Sequence, residues 1–213
     1  MTIKSVFFDN DGVLVSTEHL VFEANLAVFT ELGVPYGLDD FVDHTLLSDK
    51  GSRGFVRERG YDDAFYADFV ARRRPVWYRM LGESDHSIDG VADALESLSG
   101  RELVITTSAA AEPFQRSHLK TGLLPHFSSW ITREQYPREK PHPDVYLAAL
   151  ERSSFLPEEI VVVEDTPRGI QAARAAGLTA VAIPHGLTDG LDFAGADYVL
   201  GSIRELPELV SRL

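Results

Sequence analysis

Short, continuous apolar runs bounded by turn residues alternate along the chain with longer stretches of helical spacing. Residues 3–8 form one such run, rich in β-branched and aromatic side chains and stopped by Asp9-Asn10-Asp11-Gly12, which predicts a buried strand ending in a tight turn. The runs 103–105, 160–163, 179–183 and 198–200 predict four more strands. The segments between them are long enough for helical crossovers, so the pattern is that of an α/β protein with a Rossmann-like parallel sheet and helices on both faces.

One helix boundary is written out in full. After the run 160–163 comes Glu164-Asp165-Thr166-Pro167, where Thr166 suits the cap and Pro167 the first helical position, and Gly177 suits the end. Pro141 and Pro143 discourage helix before a second segment predicted at 144–152. The stretch 17–81 differs, showing helical spacing almost throughout and no buried strand. Leu20, Ala24, Ala27, Val28 and Leu32 share a face before Gly33, and Phe65, Phe69, Val76 and Met80 recur within 62–81. The expected division is therefore a Rossmann-like core of residues 1–15 and 86–213 and a helical insert of residues 16–85.

Composition narrows the function. The 213 residues, 44% hydrophobic and 25% charged, suit a globular chain of one large or two small domains. A formal charge of −13 opposes binding to nucleic acid or anionic membrane surfaces, and admits a phosphate ester only where a local cation inverts the field. The absence of cysteine excludes disulfides, thiolate nucleophiles and sulfur-based metal sites. With no run near the roughly 20 apolar residues of a membrane span, the expectation is a soluble, cytoplasmic protein; nothing in the pattern specifies an oligomeric state.

In an open parallel sheet, ligands bind beyond the carboxyl ends of the strands. The residues there are Asp9 and Asp11 after the first run, Thr106, Thr107 and Ser108 after the second, and Glu164 and Asp165 after 160–163, with Lys140 in the loop before the 144–152 helix. Converging carboxylates call for a cation, and hard oxygen ligands without histidine or cysteine favour magnesium. A carboxylate nucleophile, metal, lysine and hydroxyls together describe phosphoryl transfer.

These residues also resemble a family. Phe7-Phe8-Asp9-Asn10-Asp11-Gly12-Val13-Leu14, Ile105-Thr106-Thr107-Ser108, Lys140-Pro141-His142-Pro143-Asp144 and Val163-Glu164-Asp165-Thr166-Pro167-Arg168-Gly169 resemble, in order, the four motifs of the haloacid dehalogenase superfamily. Within it the chain is similar to the helical-capped phosphatases related to β-phosphoglucomutase and phosphoglycolate phosphatase. The resemblance implies that Asp9 is the nucleophile that becomes an aspartyl-phosphate and that Asp11 is the general acid and base. Asn10, Thr107, Ser108 and Lys140 would serve the phosphoryl group, and Asp9, Asp11, Glu164 and Asp165 would hold Mg2+. The insert would be a mobile cap, with Lys50 and Arg53, in the loop-like stretch 47–54, reading the leaving group of a small phosphorylated substrate.

Asp11 with Glu164 and Asp165 argues against carbon–halogen cleavage. The mutase's proton-transferring histidine falls on Val21, which favours hydrolysis over a sugar-phosphate mutase, and Ser16 stands where relatives commonly carry aspartate. A receiver-like phospho-aspartate switch would be shorter, without the insert. Arg72-Arg73-Arg74 beside Trp77 reads as a solvated helix face, and the histidines show no metal-ligand spacing.

Overall fold

The computed structural model describes residues 2–48 and 50–213. Six strands form one parallel sheet: β1 (Ser5–Phe8), β2 (Glu102–Thr106), β3 (Ser129–Ile131), β4 (Ile160–Glu164), β5 (Thr179–Ala182) and β6 (Tyr198–Val199), in the order β3-β2-β1-β4-β5-β6. Chain direction across the sheet reverses at β1, which pairs with β2 on one side and β4 on the other. That switch point opens a crevice beyond the carboxyl ends of β1 and β4.

The apolar runs are continuous because the sheet is covered on both faces. Val6, Phe8, Val161 and Val163 point into one core. Their neighbours Phe7, Ile160 and Val162 point into the other. The strand missing from the sequence reading is β3, three residues at the sheet edge whose Trp130 is exposed, too short and too polar to show a period.

Between β1 and β2 the chain builds a helical layer: α1 (Glu18–Glu31), α2 (Leu38–Phe41), a π-helical turn at Val42–Leu46, α3 (Gly51–Glu58), α4 (Asp63–Glu83) and α5 (Val91–Ser97). Of these, α1, α3 and α4 carry a core of their own, in which Phe29 stacks on Phe69 at 4.1 Å between ring centroids and Phe55 and Val56 close the cluster. Gly33 follows the end of α1 with φ +71°, a conformation glycine adopts without strain. Asp62 caps α4 by accepting the Phe65 amide at 2.8 Å. The stretch 47–54 is not a loop throughout: α3 begins at Gly51 and includes Arg53.

Of the remaining helices, α6 (Ala111–Ser117), α7 (Asp144–Leu150) and α8 (Pro167–Ala175) lie in the crossovers between successive strands, and α9 (Leu206–Arg212) follows β6 and packs on α5. Thr166 caps α8 by accepting the Gly169 amide at 3.2 Å, with Pro167 at the first helical position. Among the described residues no helix is long and apolar enough to cross a membrane.

Candidate active site

The site lies at the switch point. Beyond β1 the Asp9 amide still donates to the Val163 carbonyl at 2.9 Å, so Asp9 continues the strand, and the chain then folds back through Leu14 N to Asn10 O (2.9 Å) and Gly12 N to Val15 O (2.8 Å). Gly12 turns at φ +81°, and a β-carbon there would collide with the carboxylates of Asp165 and Glu18. The turn thus brings Asp9 and Asp11 to one cavity while leaving room for two further acids.

Lys140 reaches this point from the loop before α7. Its Nζ lies 2.8 Å from Asp9 Oδ1 and 2.6 Å from Glu164 Oε1, and donates to the Thr106 carbonyl at 3.2 Å, with the side chain 2% exposed. Burial alone would lower the ammonium's pKa, but the two carboxylates outweigh it and hold Lys140 charged above its ordinary range. Glu164 is fixed in turn: Tyr146 donates to Oε1 at 2.5 Å and Thr166 to Oε2 at 3.2 Å, and its carboxylate fills the space a β-carbon at Gly169 would need.

Asp165 faces the opposite way, toward Glu18 and the Gly12 turn. It is fully buried, and its Oδ1 has no hydrogen-bond partner. Burial, and then repulsion from Glu18 and Asp9, push its pKa well above the carboxylate range. Asp9 is pushed up to about 7 by burial and by Glu164, and Glu18 to about 8 by burial and by Asp11. Oxygen atoms of Asp9, Glu164 and Asp165 all lie within 4.8 Å of one another. An orphaned buried carboxylate oxygen within a set of crowded, all-oxygen donors fits a hard divalent cation such as magnesium.

Asp11 is held from two sides. Thr17 donates to its Oδ1 and the Asn10 amide to its Oδ2 at 3.2 Å. Asn10 is itself pinned by buried His118, whose Nε2 lies 2.7 Å from Asn10 Oδ1 while Nδ1 lies 3.0 Å from the Thr121 hydroxyl. Burial lowers the His118 pKa to about 4, so the ring is neutral near pH 7. The donors then run in one direction: Thr121 to His118, His118 to Asn10, Asn10 to Asp11. Asn10→Leu keeps the bulk but strands the His118 N–H, so it is expected to cost roughly 1–3 kcal/mol of stability. It should also lower kcat more than it raises KM; urea titration and steady-state kinetics check the two effects.

The cavity has a volume of about 190 Å3. Asp9, Asp11, Ser108, Ala109, Lys140, Asp165, Thr166 and Arg168 line it from the sheet side, with Glu18, Val21, Phe41, Thr45, Leu46 and Trp77 from the helical layer. The expected phosphate contacts divide. Ser108 lines the cavity with its hydroxyl buried and unpartnered, whereas Thr107 lies beneath, accepting the Ala109 amide at 2.9 Å, and Asn10 serves Asp11 rather than the cavity. Neither Lys50 nor Arg53 reaches the cavity. Lys50 Nζ sits 2.7 Å from Glu58 and Arg53 Nη2 2.9 Å from Asp63, on the exposed side of the helical layer, so opposite charges nearby hold them there. Glu18, Arg168 and Trp77 were not legible as site residues: an acid opening a helix reads as a partner of the helix dipole, and Trp77 reads as part of a solvated face.

Residues 3–177 match the model of the haloacid dehalogenase-like hydrolases, and the chain belongs to this family. Among curated relatives, the phosphorylated carbohydrates phosphatase of Thermotoga maritima is 30% identical, the match covering 88% of each chain. A phosphoglycolate phosphatase of Chromobacterium violaceum is 29% identical, over 98% of this chain and 96% of its own. Among solved structures, CbbY from Rhodobacter sphaeroides in complex with phosphate superposes with a TM-score of 0.85 at 25% identity, each chain covered completely. The protein is thus an enzyme of the haloacid dehalogenase-like phosphatases.

Proposed function

We propose that the protein is a magnesium-dependent phosphohydrolase that cleaves a small phosphate monoester through a phosphorylated Asp9. The observation that carries this reading is the single lysine, Lys140, clamped between Asp9 and Glu164 while Asp165 beside them keeps an orphaned oxygen. A nucleophile, its fixed counter-charge and a vacant donor for a cation meet at one end of one cavity.

Asp9 attacks phosphorus, forming an acyl-phosphate bond as the ester P–O bond breaks. The leaving alcohol takes its proton from Asp11, which later receives one from the water that attacks the phosphoryl group, freeing Asp9 and inorganic phosphate. Asp11 is oriented for both transfers by Thr17 and Asn10. Lys140 neutralises charge on Asp9 and the phosphoryl oxygens, and Ser108 offers a donor from the cavity wall. Magnesium, held by Asp9, Asp165, the Asp11 backbone carbonyl and Glu164, would supply charge neutralisation for the phosphoryl oxygens.

The helical layer faces this chemistry with a largely apolar wall, Val21, Phe41, Leu46 and Trp77, the arrangement of a cap. A phosphorylated carbohydrate or phosphoglycolate as substrate is supported by the names of two relatives, a phosphorylated carbohydrates phosphatase and a phosphoglycolate phosphatase. Water is the favoured acceptor over a second sugar hydroxyl because Val21, at the cavity wall, offers no group to move a proton.

Phosphate release from a panel of sugar phosphates and phosphoglycolate, with and without magnesium, tests the reading. Asp165→Ala is expected to raise the magnesium concentration for half-maximal rate at least about tenfold, since it removes a cation ligand. Isomerised ester without free phosphate would instead identify a mutase.

A further inference from the structure

Two cations line the cavity, and only one is spoken for. Lys140 is saturated by Asp9 and Glu164, whereas among the described residues no carboxylate lies within 4 Å of the Arg168 guanidinium. Its Nη1 donates to the Lys140 carbonyl at 3.3 Å, and its Nε is shielded from solvent with no acceptor. Arg168 is also the second residue of α8, at the positive end of the helix dipole, where a cation is disfavoured. An arginine set against its own helix, unpaired in a crevice that holds four carboxylates, Asp9, Asp11, Glu18 and Asp165, is explained by an anion that arrives with the substrate.

The opposite wall limits where that anion can sit. Val21, Phe41, Leu46 and Trp77 offer carbon surface, Thr45 a hydroxyl and Trp77 an unpartnered indole N–H; the one ionisable side chain there is an acid, Glu18, and none is a cation. A second anionic group therefore finds its counter-charge on the sheet side. The volume of about 190 Å3 lies below the roughly 300–1,000 Å3 of pockets that hold drug-sized ligands, which keeps the leaving group short.

We propose that Arg168 is the specificity-determining residue of the site: it binds a second anionic group, a carboxylate or a phosphate, carried on a short leaving alcohol whose carbons pack against Phe41, Leu46 and Trp77. This rests on the phosphohydrolase reading and adds the class of substrate to it. The anion is read through the motif that also supplies Glu164 and Asp165, not by the helical layer.

Matched pairs of esters test it. In the carboxylate arm, 2-phosphoglycolate is compared with 2-hydroxyethyl phosphate; in the phosphate arm, 1,3-propanediol bisphosphate is compared with 3-hydroxypropyl phosphate. The magnesium-loaded enzyme is expected to favour the anionic member of at least one pair about tenfold or more in kcat/KM, and the arm that shows the preference identifies the anion. In Arg168→Met that ratio falls to within about twofold of unity, and Arg168→Lys retains part of it. If Arg168 only braced the Lys140 carbonyl, the methionine variant would slow both members equally and keep the ratio, which overturns the proposal. A wild-type ratio near unity in both arms overturns it as well, with the hydrolase reading intact. Equilibrium binding of the same pairs to magnesium-loaded Asp9→Asn protein reads the preference without turnover. Discrimination there, lost in Asp9→Asn/Arg168→Met, upholds the anion site even if no ester is hydrolysed, and its absence there overturns the proposal.

Discussion

Asp9→Asn is expected to abolish phosphate release, with kcat falling on the order of 10^4-fold or more, because the amide is not a nucleophile toward phosphorus. The substitution is nearly isosteric, and Lys140 keeps Glu164 at 2.6 Å and the Thr106 carbonyl at 3.2 Å, so the local fold has no reason to collapse. It also removes one of the crowded carboxylates. Without metal at about pH 8, the variant should therefore melt no lower than the wild type, since a buried charge facing Glu164 and Asp11 is gone. Lost turnover with a retained melting temperature separates a chemical role from a structural one; a variant that still turns over at more than a few per cent of the wild-type rate contradicts the assignment of Asp9.

The second large effect is on stability. Asp9 keeps its proton in the folded protein up to about pH 7, against 3.8 for the free side chain, and Glu18 up to about 8, against 4.5. Asp165 shifts in the same direction. Between those limits the folded state holds more protons than the unfolded chain, so raising the pH strips them from the folded state and destabilises it, by about 1.4 kcal/mol per pH unit for each proton retained. Exposed acids with lowered values, such as Glu58 at about 2, have finished titrating below about pH 5, and His118, held down to about 4, runs the other way only up to about pH 6.5 and offsets one of the three protons retained by Asp9, Glu18 and Asp165. The melting temperature of the metal-free protein should fall from about pH 5 to about pH 8. Excess magnesium should raise it, most at the alkaline end, where the ion no longer competes with protons for the same oxygens. A melting temperature that is flat or rising over this window in the presence of chelator, or a magnesium effect independent of pH, contradicts the account of the acidic cluster.

What could be read from the sequence follows from where each signal is local. Strand β1 and the Asp9-to-Gly12 turn declare themselves because burial on both faces demands an unbroken apolar run, and the turn demands glycine at φ +81°. The boundary at Thr166-Pro167 is local capping chemistry, and it appears as expected. The edge strand β3 is set by pairing with β2, a long-range partner that leaves no period in three residues. The place of charged residues in the helical layer is set by partners that local pattern does not reveal. Lys50 and Arg53 are basic and near the cavity in sequence order, but Glu58 and Asp63 hold them on the surface, a pairing only the folded α3 and α4 create. Asn10 shows the same limit: its partner His118 is 108 residues away, so its service to Asp11 has no trace in the local pattern.

The most direct test of the central claim is to quench the magnesium-loaded enzyme in acid during turnover of a phosphate-labelled ester and map the label. The account predicts an acyl-phosphate, released by hydroxylamine and located on Asp9, that forms and decays as fast as phosphate is produced and is absent from Asp9→Asn. Phosphate produced at the full rate with no label on Asp9, or label on another residue, would contradict it.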